Sequence, residues 1–294
     1  MEGAPPRGSG LAGIQIHAVR AARGDGFRVL ADATGPRGRV WERDDATYVH
    51  LAGIHGFVRG GREEQAAATF EEMERLLGSG AARMRDLVRT WIWLDGISEG
   101  YDRLNGARTA RFRSAGLIPV SGKEPPAYLP ASTCVGARTP DGGFCTADGL
   151  AVTGDVRVVP LAGGLQPPAW GYGSAFSRGI CLEERDSRQI FVSGTAAIDG
   201  EGRSLHPGDA RAQVEETFEA VRSLIAAEGA TLRDIRSATI YLKKGADLEV
   251  YDTVARRRGL GDLPAVVVVA DICRDELLFE MDVLAVVGGK GGWR

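Results

Sequence analysis

Apolar residues in this chain recur at two spacings. Phe70, Met73, Leu76 and Leu77, and again Phe218, Val221, Leu224 and Ile225, fall on one face of a three-turn helix. Small residues at 78–82 and at Gly229-Ala230 break each pattern. Residues 88–94 and 238–242 then become rich in aromatic and β-branched types, which favour a strand. Each segment therefore predicts a helix, a turn and a strand.

The two segments are copies. Residues 69–94 (TFEEMERLLGSGAARMRDLVRTWIWL) align without a gap on residues 217–242 (TFEAVRSLIAAEGATLRDIRSATIYL), 148 positions later. Thr69/Thr217, Phe70/Phe218, Glu71/Glu219, Arg85/Arg233, Asp86/Asp234 and Ile92/Ile240 are identical pairs. The likeness extends outward: YVHLAG at 48–53 parallels IFVSG at 190–194. Tyr101-Asp102 parallels Tyr251-Asp252, and Leu-Pro-Ala at 129–131 parallels 263–265. Each copy reads strand, helix, strand, helix, strand, strand, so the expected fold class is α+β: two tandem domains, each a mixed sheet packed on two helices. The expected division is a disordered tail at 1–10, an N-terminal domain at 11–160, a Pro- and Gly-rich linker at 161–172 and a C-terminal domain at 173–290.

Composition narrows the partners. A net charge of -3 on 294 residues, with 44% hydrophobic and 26% charged residues, gives no electrostatic case for nucleic acid or an anionic membrane. No apolar run approaches the ~18 residues of a membrane span, and the first residues are polar and Gly/Pro-rich. A cytoplasmic protein acting on a small molecule, as a monomer or small homo-oligomer, is expected. The four cysteines form no CxxC and the four histidines join them in no ligand pattern, so neither metal nor other cofactor is expected. The Gly-containing stretches at 161–164 and 288–292 lack the setting of a phosphate loop.

From Phe191 onward, FVSGTAAID, the repeated helix and strand, LPAVVVV and LLFEMDVLAV resemble the RidA/YjgF deaminase family. Members of that family are small α+β domains that form trimers with ligand sites at their seams, so a tandem copy builds such a seam within one chain. Imine-hydrolysing members carry an Arg after the Pro-Ala pair to hold the substrate carboxylate; here Ser132 and Val266 stand there. A narrower likeness comes from the segments at 89–112 (RTWIWLDGISEGYDRLNGARTARF), 128–136 (YLPASTCVG), 172–179 (YGSAFSRG), 193–198 (SGTAAI) and 273–280 (CRDELLFE). Together these resemble chorismatases, tandem RidA-like enzymes that release pyruvate from chorismate.

Chorismate is a dicarboxylate, so the resemblance asks for guanidinium groups in a partly dry seam. Arg178 and Arg108 are the candidates. Arg111 stands on the same predicted helix face, and Tyr128 offers a phenolic donor; a surface ion-pair ladder and a packed strand-edge ring are the plainer readings of these two. Splitting an enol ether needs a proton from a carboxylic acid kept neutral by burial. Strand alternation puts Leu278, Glu280, Asp282 and Leu284 on one face, and Glu280 is the expected acid, with Asp282 an electrostatic neighbour or a substrate contact. The plainer alternative pairs both carboxylates with arginines on a neighbouring strand. Cys273, seven residues before Glu280, matches the hydroxybenzoate-forming branch and is expected to shape the pocket and limit water. The resemblance thus implies 3-hydroxybenzoate and pyruvate as products. Hydrolysis to a dihydroxycyclohexadienoate, or a non-catalytic module that binds a small carboxylate, stays open.

Overall fold

The computed structural model describes residues 4–19, 26–43, 45–56, 60–121, 124–139 and 142–289. Its first half runs β1 (Phe27–Asp32), β2 (Gly35–Arg43), β3 (Ala46–His55), α1 (Arg62–Ser79), β4 (Leu87–Leu94), α2 (Ile97–Ser114), β5 (Ala131–Gly136) and β6 (Cys145–Gly154). The second repeats that order as β7 (Arg157–Pro160), β8 (Gly179–Glu183), β9 (Ser187–Ala196), α3 (Ala210–Ala226), β10 (Ile235–Leu242), α4 (Leu248–Arg257), β11 (Ala265–Val269) and β12 (Phe279–Gly288). Two six-stranded sheets result, ordered β1-β2-β3-β6-β4-β5 and β7-β8-β9-β12-β10-β11. Each is mixed, since only β4–β5 and β10–β11 run parallel. Among the described residues no helix is long and apolar enough to cross a membrane.

The strands at 48–53 and 190–194, both repeated helices and both repeated strands lie where the periodicity predicts them. The hairpin partners β1, β2, β7 and β8 were not anticipated. Residues 157–160, expected within the N-terminal domain, hydrogen-bond to β8 in the second sheet. Nor is the leading segment a bare tail from Ala4 on: Ala4 bridges Val269, and Arg7 reaches Glu249 at 3.1 Å.

The repeated residues have repeated jobs. Phe70, Met73, Leu76 and Leu77 of α1, and Phe218, Val221, Leu224 and Ile225 of α3, are buried against their own sheets. Thr69 and Thr217 each return a hydroxyl proton to the carbonyl four residues back. Asp86 and Asp234 each accept the backbone N–H three residues earlier, at 2.7 and 2.8 Å, closing the turn that feeds the strand. The paired Asp is thus a turn device.

The sheets face each other, with the helices outside. Trp41, Tyr48, Val88, Leu150 and Val152 of the first sheet pack on Ile180, Leu182 and Phe191 of the second. At one side of this contact β5 lies along the second half: the Ser132 N–H donates to Ser193 Oγ at 2.8 Å and the Gly136 N–H to the Asp271 carbonyl at 2.7 Å. Arg89 of β4, 1% exposed, reaches Asp282 of β12 at 3.3 Å. The Asp282 oxygen also accepts from Thr133 and Tyr241, both at 2.9 Å. One terminal nitrogen of Arg89 has no acceptor among the described residues, and its guanidinium lies 4.7 Å above the Trp91 ring. The chain has therefore paired charges from both halves in the seam.

Strand register also aligns the copies. Leu94 faces Cys145 as Leu242 faces Phe279, so Thr146 holds the place of Glu280 and Asp148 that of Asp282. Asp148 accepts the Gly53 N–H at 2.7 Å, and burial pushes its carboxyl up to about 6.

Removing one partner of a buried ion pair strands the other charge in a medium that solvates it poorly. Arg89→Ala should lower unfolding stability by about 3–5 kcal/mol in a denaturant titration. A loss under about 1 kcal/mol would mean that the pair does not hold the seam.

Candidate active site

A cavity of about 610 Å³ opens where β5 and α2 of the first half meet the 172–178 segment, β9, β12 and the β11–β12 loop of the second. Glu280, Cys273, Arg108 and Arg178 all line it. Strand alternation explains Glu280: Phe279, Met281, Val283 and Ala285 point to the helix-side core, which turns Glu280 and Asp282 to the seam.

The Glu280 carboxyl is 5% exposed, and no donor among the described residues hydrogen-bonds to it. It lies over Gly194 of β9, where an added Cβ would come within 2.1 Å of Oε1. Burial, and then the negative charge of Asp282, push its proton affinity up to about 8, against the pull of Arg178 and Arg89. At neutral pH this group is mostly a carboxylic acid, able to donate a proton. The Cys273 thiol is pushed up to about 12, first by burial and then by Glu280, so it stands there as a neutral thiol.

Cations alternate with rings along one wall. Arg108 lies 5.5 Å from the Phe176 centroid, Arg178 lies 5.4 Å from Phe176 and 5.3 Å from Tyr172, and Arg274 lies 5.8 Å from Tyr172. Ring faces attract cations and brace three like charges at modest cost. Arg108, 1% exposed, donates to Ser132 Oγ at 3.2 Å and to Asn105 Oδ1 at 2.5 Å. Ser132 follows the Pro-Ala pair, so a helix residue brings a guanidinium to the position where the sequence shows the strand arginine to be absent. Arg178 donates to the Pro167 carbonyl at 3.1 Å and to the Tyr172 hydroxyl. Tyr101 also faces the cavity and bonds Ser174, and burial raises its phenol.

Three candidates lie elsewhere. Arg111 pairs with Glu71 at 3.0 Å and Glu74 at 2.8 Å on α1. At about 100° per residue, position +7 from Tyr101 returns to within about 20° of it, whereas +10 is turned away by about 80°. Tyr128 donates to the Leu87 carbonyl and is packed between the two cores. Asp282 does not line the cavity: Arg89, Thr133 and Tyr241 enclose it behind Glu280, and its influence there is electrostatic. The plainer reading of the two strand carboxylates thus fits Asp282 and leaves Glu280 facing the cavity.

Arg274, Tyr172 and Phe176 were not singled out as site residues. Arg274 sits beside Cys273 in the CRDELLFE segment, and both rings lie in YGSAFSRG, but their alternation with arginines exists only in three dimensions. A separate group, Cys181, Glu183 and Glu228, brings its ligand atoms within 4.8 Å of one another. Arg157 and Arg188 pair with its carboxylates at 3.3 and 3.1 Å, so its charge is already met.

Residues 173–287 match the family described as Endoribonuclease L-PSP. A chorismatase from Streptomyces hygroscopicus is 28% identical over 83% of this chain and 73% of its own. One from Streptomyces rapamycinicus is 28% identical over 88% of this chain and 82% of its own. A solved chorismatase structure has the same fold, with a TM-score of 0.67 at 23% identity over 84% of this chain and 77% of that one. The chain therefore resembles chorismatases over most of its length, and its architecture is a tandem pair of RidA/L-PSP-type units.

Gly194→Ala tests the placement of the acid. The obstructing atom is the end of a flexible side chain, so the variant should fold with a stability change under about 1 kcal/mol. Its crystal structure should show Glu280 rotated off Gly194; an unmoved carboxyl would refute the close approach.

Proposed function

With a chain that resembles chorismatases across most of its length, we propose that this protein cleaves chorismate to pyruvate and 3-hydroxybenzoate, with Glu280 as the proton donor. The observation that carries the reading is a buried, unpaired carboxyl held in its acid form inside an arginine-lined cavity. A general acid works best with a proton affinity near the operating pH, which burial and Asp282 supply here.

Chorismate brings a ring carboxylate and an enolpyruvyl carboxylate, and Arg108 and Arg178 offer cations beside the acid. Glu280 delivers its proton to the vinyl carbon, leaving positive charge on the ether carbon. Capture of that cation by water releases pyruvate and a dihydrodiol. Alternatively the ring hydroxyl beside the ether attacks the ether-bearing ring carbon, giving up its proton as that carbon's bond to the ether oxygen breaks and pyruvate leaves; the epoxide then opens at its other carbon and loses a ring proton, giving a 3-hydroxybenzoate with no water consumed. Cys273, neutral and half-buried, favours the second course because a thiol holds water poorly. Arg111 and Tyr128 have no direct part in this reading. Asp282 acts on the acid's proton affinity.

Purified protein given chorismate should release pyruvate, and the aromatic product should have the mass of chorismate less pyruvate. A product heavier by one water would move the assignment to the hydrolytic type; binding without pyruvate would leave a carboxylate-binding module. Glu280→Gln should lower kcat by about 10²–10⁴-fold. Because the donor must be protonated, kcat/KM should hold steady at lower pH and fall as pH rises through about 8. A profile that instead falls near pH 4, where an ordinary carboxylate titrates, would remove Glu280 from the acid role.

A further inference from the structure

A carboxylate is gripped best by two adjacent N–H groups of one guanidinium, and the three cavity arginines differ in which pairs remain available. The side-on fork of Arg178, Nε with Nη2, is filled by the Pro167 carbonyl and the Tyr172 hydroxyl. Both terminal nitrogens of Arg108 are engaged, by Ser132 and Asn105, and its Nε is buried without a partner. Arg274 donates only through Nη1, to the Gly202 carbonyl, so among the described residues its Nε and Nη2 have no acceptor. It also lines the cavity and is only partly buried.

Its position is set from three sides. The Gly202 turn takes Nη1, the Tyr172 ring lies beneath the guanidinium at 5.8 Å, and the backbone carbonyl of Arg274 accepts from Lys243 Nζ at 3.4 Å. Gly202 has φ +80°, and an added Cβ there would come within 3.1 Å of the Tyr172 ring, so turn, ring and arginine form one packed unit. Such a guanidinium has little side-chain freedom left to lose on binding.

We infer that Arg274 is the bidentate anchor for one carboxylate of a dianionic substrate, presenting Nε and Nη2 at the mouth of the cavity while Arg108 and Arg178 serve the inner end. This rests on the dicarboxylate substrate proposed above. The role makes Arg274 a binding residue that favours dianions over monoanions; the proton transfer does not use it.

Calorimetry with chorismate in the Glu280→Gln background separates binding from turnover. Adding Arg274→Gln should weaken affinity by about 10- to 100-fold. Arg274→Lys, which keeps the charge and loses the fork, should recover only part of it. In the otherwise native chain, Arg274→Gln should raise KM while most of kcat survives. Affinity and KM within about twofold of the parent, or full recovery by lysine, would overturn the anchor. If binding depends on Arg274 but the native chain releases no pyruvate, the reaction falls and the anchor stands. If pyruvate is released and Arg274→Gln leaves KM unchanged, the anchor falls and the reaction stands; neither binding nor pyruvate would overturn both.

Discussion

Two charges that cannot be left alone in a dry interior organise this molecule. Arg89 and Asp282 come from different halves, and each meets its main partner only when the sheets are docked. Thr133 and Tyr241, also from opposite halves, donate to the same carboxylate. A slip of one residue in β12 would turn Asp282 into the helix-side core and Met281 into the seam, so the ion pair enforces the register that the apolar pattern requires. Once Asp282 is placed, Glu280, two residues away, must face the same seam.

The contrast between these neighbours produces the site. Asp282 has a guanidinium and the hydroxyls of Thr133, Thr239 and Tyr241, whereas Glu280 has the space above Gly194 and a negative charge behind it. A buried carboxyl without donors avoids the cost of desolvation by keeping its proton. Arg108 and Arg178 spend their terminal nitrogens or fork on hydroxyls, an amide and a carbonyl, and no arginine among the described residues hydrogen-bonds to that carboxyl. A pocket rich in cations can therefore still hold a neutral acid.

Much of the frame was legible in the sequence because it repeats and has period. The α1 and α3 faces, the β4 and β10 strands and the alternation of β12 all follow from residue spacing. The edge hairpins escaped because Gly35–Arg43 and Gly179–Glu183 carry no repeated signature and owe their strand state to the sheets beside them. Arg108 was legible through the family resemblance, whereas Arg111, three residues on, is turned about 60° around the helix and meets the carboxylates of α1 instead. Arg274 was hidden for another reason: a free fork is a property of what neighbouring atoms leave unclaimed, and sequence spacing does not record that.

The register that matches Thr146 to Glu280 bears on how many molecules the chain can process at once. The first copy retains the aspartate, as Asp148, but turns it to the Gly53 backbone and puts a hydroxyl where the second copy has an acid. If Glu280 is the proton donor proposed above, two folds share one acid. By this reading saturation comes at one equivalent of substrate per chain, and the duplicated half contributes wall and charge. Its own version of the acid position is released from chemistry and constrained only by packing.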